Sequence, residues 1–215
     1  RSVSRGLGDV YKRQCLLSST YEPSSKTKMK LRAAPGAGTM YLQSECAEAL
    51  AELFAGAEEA GYKLYLKSAY RAYKTQKTMY NNRLERNNGK DDGWVSKPGA
   101  SDHQTGLGCD VVPGSWKDKS MNSNMASTPE CQWMAEHCYE YGFVIRYPED
   151  KQDITEINYE PWHLRYVGKE VARYIWRNGL CLEEFHEQLQ AAIDAYLAAG
   201  GDARRVEDLI QTSAE

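Results

Sequence analysis

Four residues in this chain have the types and the spacing for metal-assisted hydrolysis. The stretch SDHQTGLGCD, Ser101 to Asp110, carries His103 and Asp110 seven residues apart, with Gly106 and Gly108 between them. The stretch EPWH, Glu160 to His163, supplies a second imidazole with a carboxylate three residues before it. Imidazole nitrogen and carboxylate oxygen are ordinary zinc donors, and a catalytic zinc takes three protein ligands and keeps one position open. His103, Asp110 and His163 are therefore the expected ligands of a single Zn2+. Glu160 is then the spare carboxylate, suited to act as general base toward water and to pass the proton to a leaving amine. Pro161 restricts Glu160 to an extended backbone.

The remaining titratable candidates are weaker. His137 and His186 have no acidic or histidine partner in any motif and read as surface or core histidines. Asp102 reads as a solvated loop residue. Arg165, two residues past His163, shares its strand face and reads equally as a group orienting Glu160 or a group around a ligand and as one half of an ordinary salt bridge. Trp162 is expected to pack beneath the site as core. Tyr147, Tyr159 and Trp116 are candidates for a cleft lining.

The elements that must position these groups can be read from the pattern. Cys46, Leu50, Leu53, Phe54 and Ala57 recur at helical spacing, and Gly61 ends that helix. Tyr62 to Lys67 alternates apolar and polar, as a half-buried strand does, and delivers Ser68, Tyr70 and Arg71. A second helix follows, with Tyr73, Tyr80 and Leu84 on one side. Asn87 to Ala100 and Pro113 to Ser127 are long loops, a length at which loops are often functional. Leu107 to Val112 reads as a short strand carrying Asp110. Thr128 and Pro129 open a helix striped by Cys131, Met134, Cys138 and Tyr141 and stopped by Gly142. Phe143 to Tyr147 and Trp162 to Val167 read as strands. A helix through Val171 and Ile175 ends at Gly179, and a last one uses Leu182, Phe185, Leu189, Ile193 and Tyr196. Helices first, then strands paired out of chain order, predict an α+β fold. It is expected to be a single domain with a small, mostly antiparallel sheet flanked by helices.

Composition narrows the class. The 215 residues fit one domain with a real core. A net charge of −3 gives no support for nucleic-acid binding, which favours a basic patch. No apolar run approaches the ~20 residues of a membrane span. Ser4 to Gln14, SRGLGDVYKRQ, is the in-frame translation of a transposase adapter used in DNA library preparation. Arg1–Gln14 is therefore read as a sequencing scar, so the native start, with any signal peptide or anchor, is not visible. Residues 15–40 read as a linker or irregular lead-in, 41–187 as the domain that carries the metal motifs, and 188–215 as a helical tail. Six cysteines (Cys15, Cys46, Cys109, Cys131, Cys138, Cys181) include no C-x-x-C pair, which argues against a zinc knuckle. Cys131 or Cys138 could pair with Cys181 in an exported protein.

The motif residues resemble the zinc D-alanyl-D-alanine carboxypeptidases of the VanY type (peptidase M15B-like) and their L,D-carboxypeptidase relatives. The family pattern reads S-x-H-x-x-G-x-A-x-D, then E-x-W/P-H, and SAYRAYKTQ (Ser68 to Gln76) resembles its S-x-Y-R-s-x-x-x-Q segment. The likeness runs from about Leu42 to Phe185. Gly108 departs from the usual Ala, a change between small residues that leaves the ligands untouched. The resemblance implies a hedgehog/D-Ala-D-Ala-peptidase-like fold and one zinc ion, with no other cofactor. Its expected partner is a peptidoglycan stem peptide, not nucleic acid, and the chain is expected to act as an exported monomer. Arg71 is assigned to substrate binding, at the C-terminal carboxylate or at the scissile carbonyl, since its planar fork pairs with carboxylate. Gln76 and Ser101 are candidate hydrogen-bonding groups for the peptide. A tetrapeptide-trimming L,D-carboxypeptidase, a phage-type endopeptidase and a zinc-keeping, non-catalytic wall-binding module are the competing readings. Glu160 together with Arg71 favours an enzyme.

Overall fold

The computed structural model describes residues 16–206. Arg1–Gln14, Cys15 and 207–215 lie outside the described residues. A two-residue ladder pairs β1 (Thr27–Lys28) with β2 (Tyr41–Leu42). The lead-in lies against the domain: Ala34 N–H donates to Leu66 O, and Gln104 Nε2 donates to Ser18 O. Helix α1 (Ser44–Glu59) buries Cys46, Leu50, Leu53, Phe54 and Ala57, and Gly61 turns the chain out of it with φ 86°. Here the helical period of the sequence is realised as expected.

The central sheet is antiparallel throughout, in the order β3 (Leu64–Ser68), β4 (Gly108–Pro113), β6 (His163–Tyr166), β5 (Phe143–Ile145). Register sorts its residues by face. Gly108 sits opposite Arg165, Cys109 opposite Leu164, and Asp110 opposite His163. Side chains alternate across a strand, so Cys109, Val111 and Leu164 share the face given to the core. Gly108, Asp110, His163 and Arg165 share the other. One face of one sheet thus carries hydrophobic stabilisation and the other the polar site.

Helix α2 (Tyr73–Arg86) departs from expectation. Tyr73, Tyr80 and Leu84 are only half-buried, and its buried residue is Gln76. The helix packs its polar side on the site and leaves no apolar stripe to the core. Helix α3 (Pro129–His137) starts as read, with Thr128 Oγ1 accepting from Cys131 N, and buries Cys131 and Met134. A 3-10 turn from Cys138 to Tyr141 follows, ended by Gly142 at φ 86°. After the one-turn α4 (Gln152–Thr155) come α5 (Lys169–Asn178), closed by Gly179 in the left-handed region, and α6 (Leu182–Ala198). Helix α6 runs unbroken across residues 187 and 188, and its first turn is buried at Leu182 and Glu183. The proposed disulfides to Cys181 do not form. Cys131, Cys138 and Cys181 are free, the first two packed in the main core and the third at the N-terminus of α6.

Candidate active site

The polar face of the sheet opens into a cleft of about 370 Å³. Asp110 and His163 reach it as direct cross-strand partners, so their side chains leave neighbouring strands side by side. His103 arrives from a 3-10 turn, Asp102–Thr105, that precedes β4 and closes with Gly106 at φ 72°. That conformation costs glycine little, and it folds His103 back over the strand carrying Asp110. All three side chains are buried. His103 Nε2 lies 3.5 Å from Asp110 Oδ2, and His163 Nδ1 lies 3.4 Å from Asp110 Oδ1. Among the described residues, these three form the group whose donor atoms all fall within 4.8 Å of one another, as a metal requires.

Each imidazole has its far nitrogen committed. His103 Nδ1–H donates to Ala69 O at 2.7 Å, and His163 Nε2–H donates to Asp102 Oδ1 at 2.8 Å. Such outward bonds fix the tautomer and turn the lone pair on the other nitrogen inward. Asp110 Oδ1 is buried with no hydrogen-bond partner, an arrangement a cation would resolve. The donor set, two imidazoles and a carboxylate, fits zinc.

Electrostatics agree. Burial lowers the His103 pKa, with Arg71 adding to the effect, so this imidazole stays neutral with a free lone pair. Burial also opposes charge on His163, but Asp102 and Glu160 outweigh it and raise its pKa to about 10. Three carboxylates around one imidazole make a site that favours positive charge, and a cation bound there would take the place of the proton on Nδ1. Burial opposes ionisation of Asp110 too, yet the two histidines and Arg71 hold its pKa down.

Glu160 stands beside this group. Its Oε2 is 3.2 Å from His163 Nδ1, and the side chain lines the cleft. Burial raises its pKa, only partly offset by His163, which moves a carboxylate toward useful basicity near neutral pH. Arg71 follows β3, its N–H donating to His103 O. Nη1 donates to Gln76 Oε1 at 2.8 Å and Nη2 to Ser68 Oγ at 3.0 Å, with Asp110 Oδ2 3.9 Å away. Gln76 is occupied at both ends, since its Nε2 donates to Ser96 O. It therefore steadies Arg71 while still lining the cleft. Ser101 is buried and lines the cleft.

Asp102 overturns its reading as a solvated loop residue. It is fully buried, bonded to His163, with Arg165 Nη1 3.6 Å and Arg146 Nε 3.9 Å from its Oδ2. Arg165 therefore faces Asp102, a group that in turn bonds His163. Sequence gave one clue: Gly108. A Cβ there would meet the Asp102 carboxyl carbon and Oδ1 at 2.9 Å. Glycine at 108 thus makes room for that carboxylate.

Trp162 is buried in the core, as read, and also borders the cleft. Tyr147 lines the cleft edge-on to His163, with ring centroids 5.0 Å apart. Tyr159 instead borders a separate groove between α3, β5 and α5, and Trp116 packs on the core under Lys119. The two long loops supply wall residues that periodicity could not single out: Trp94, Ser96, Met121 and Asn122. His137 pairs with Glu140 and stacks on Trp133, away from the site.

Known proteins bear on this geometry directly. The VanY family model, D-alanyl-D-alanine carboxypeptidase, matches residues 39–169. The chain belongs to the VanY family. A putative carboxypeptidase of Bacillus subtilis, YodJ, is 39% identical over 181 residues, covering 83% of this chain and 66% of the relative. The solved LdcB LD-carboxypeptidase superposes with a TM-score of 0.76 at 39% identity, covering 82% of this chain and 83% of that one. The vancomycin-resistance D,D-pentapeptidase VanY, solved in complex with Zn(II), gives a TM-score of 0.67 at 28% identity, covering 82% and 96%. The chain spans about half to two thirds of the length of three curated relatives that it matches. The fold read from the sequence, an α+β domain of the D-Ala-D-Ala-peptidase kind, is that of these neighbours.

Proposed function

We propose that this chain is a zinc carboxypeptidase that removes the C-terminal D-alanine from peptidoglycan stem peptides. One observation carries the reading: both imidazoles have their outer nitrogens tied down, so His103 Nε2, His163 Nδ1 and Asp110 Oδ1 converge beside Glu160. His103, Asp110 and His163 would hold one Zn2+. Bound zinc supplies Lewis acidity to a scissile carbonyl and acidifies nearby water. Glu160 takes the proton of the attacking water and delivers it to the departing amine. Arg71, held flat by Gln76 and Ser68, offers its guanidinium to the substrate carboxylate or to the developing oxyanion. The buried walls of Trp162 and Tyr147 limit water around the reacting atoms.

Family membership and the D-Ala-D-Ala carboxypeptidases among the relatives support the pentapeptide substrate. The greater identity to LdcB than to VanY, 39% against 28%, favours tetrapeptide trimming as the second reading. A purely wall-binding module would have no use for Glu160. The chain acts as a monomer outside the cytoplasmic membrane, where its substrate lies. No helix among the described residues is long and apolar enough to cross a membrane.

The deciding experiment measures D-alanine released from pentapeptide and tetrapeptide muropeptides, with and without a zinc chelator. Chelator-sensitive release from pentapeptide is expected. Release from tetrapeptide alone would transfer the assignment to L,D-carboxypeptidase, and no release from either would end it.

A further inference from the structure

Among the described residues, a buried cluster of four charged side chains lies outside the cleft. Behind His163, and away from the substrate side, lie Asp102, Arg146, Arg165 and Glu183, each at most 4% exposed. Arg146 Nη1 donates to Glu183 Oε2 at 3.0 Å, and Nη2 donates to Glu183 Oε1 at 2.6 Å, a two-pronged bond. Two guanidiniums and two carboxylates balance in charge, so the cluster is neutral as a unit. Removing one member would leave its partner buried and uncompensated, which is strongly unfavourable.

We infer that Asp102, held by the Arg146–Glu183 pair and by Arg165, is the positioning residue for the His163 imidazole, and that the first turn of α6 is therefore part of the metal site's support. This rests on the reading of His163 as a metal ligand. Three independent features point the same way. Asp102 accepts the proton on His163 Nε2, which leaves Nδ1 facing Asp110 and Glu160. Gly108, directly across the strand pair from Arg165, has no Cβ where the Asp102 carboxyl sits. Arg146 also donates its main-chain N–H to His163 O, so one residue ties both the backbone of the ligand and, through Asp102, its ring.

The consequence is a chain of contacts from Glu183 on the last helix, through Arg146 beyond β5, to Asp102 and the ring on β6. Ordinary packing of α6 would need none of this. Leu182 and Phe185 already supply an apolar contact for its first turns.

The test reads Zn2+ affinity, by competition with a chromophoric chelator, together with thermal stability. Asp102→Asn keeps shape but loses charge, and its affinity is expected to fall about 10- to 100-fold. Glu183→Gln is expected to lower affinity by a smaller factor, although it lies outside the cleft. A single loss leaves the cluster with an unbalanced charge, whereas the paired variant Arg146→Met with Glu183→Leu restores neutrality. If the cluster merely holds the fold together, the paired variant regains both stability and affinity, and the inference is overturned. If it orients the ring, stability returns and affinity does not. Glu184→Gln, on the same turn but bonded to Lys151 and Cys181 N, serves as control and should bind zinc like wild type. An equal affinity loss in that control would also overturn the inference. Should His163→Ala bind zinc normally, the ligand assignment itself fails, which is a separate result.

Discussion

Asp110 and His163 are opposite one another across β4 and β6, and the carboxylate and the imidazole approach to 3.4 Å. The 52 residues of intervening chain are irrelevant to that distance, because antiparallel pairing alone sets it. Glu160, Arg71 and Asp102 are arranged around this pair.

Glu160→Gln removes the proton acceptor but leaves both imidazoles and Asp110 in place. The variant is expected to retain zinc, by elemental analysis, while turnover falls about 100- to 10,000-fold. His103→Ala, in contrast, should lose metal and activity together. A Glu160→Gln enzyme with wild-type turnover would show that the base lies elsewhere.

Gln76 and Arg71 separate positioning from contact. Gln76→Ala withdraws one hydrogen bond from the Arg71 guanidinium. About 1 kcal/mol of lost restraint should lower kcat/KM roughly five- to tenfold. Arg71→Lys loses the planar fork itself and should cost more. Steady-state kinetics on the pentapeptide would refute this ordering if the two variants behaved alike.

Gly108→Ala brings a methyl group to 2.9 Å from the Asp102 carboxyl and 3.1 Å from its carbonyl carbon. Overpacking of this sort costs roughly 1–3 kcal/mol, which urea titration would detect as a lower midpoint with an unchanged slope. An unshifted midpoint would mean that Asp102 moves aside freely.

The start of α6 should be sensitive to acid. Glu184 accepts from Cys181 N and pairs with Lys151. Burial works against its charge, but these partners prevail and hold its pKa below the ordinary value. A carboxylate depressed in the folded state contributes stability above its unfolded pKa, near 4.3, and that contribution disappears as pH falls through the folded value. Glu184→Gln should therefore destabilise by roughly 0.5–1 kcal/mol at pH 7. The gap to wild type should close in melting curves recorded well below pH 4. A gap that persists in acid would contradict the ionic origin.

The sequence by itself singled out the candidate ligands and determined the local elements. His103, Asp110, His163 and Glu160 stood out because motif spacing and donor chemistry are properties of short segments. The same holds for α1, for the Thr128–Pro129 start of α3 and for the glycine stops at Gly61, Gly142 and Gly179, where period and backbone freedom are local. What only the tertiary structure decided was the partner of each polar side chain. Gln76 turned inward to Arg71, Asp102 left the solvent for His163, and Glu183 paired with Arg146 from a helix assigned in part to a tail. Those pairings join residues 5, 61 and 37 positions apart in the three bonds concerned. A polar residue carries no periodic sign of whether water or a distant guanidinium will satisfy it. Burial settles that only when the sheet has closed and the choice lies between an ion pair and an uncompensated charge.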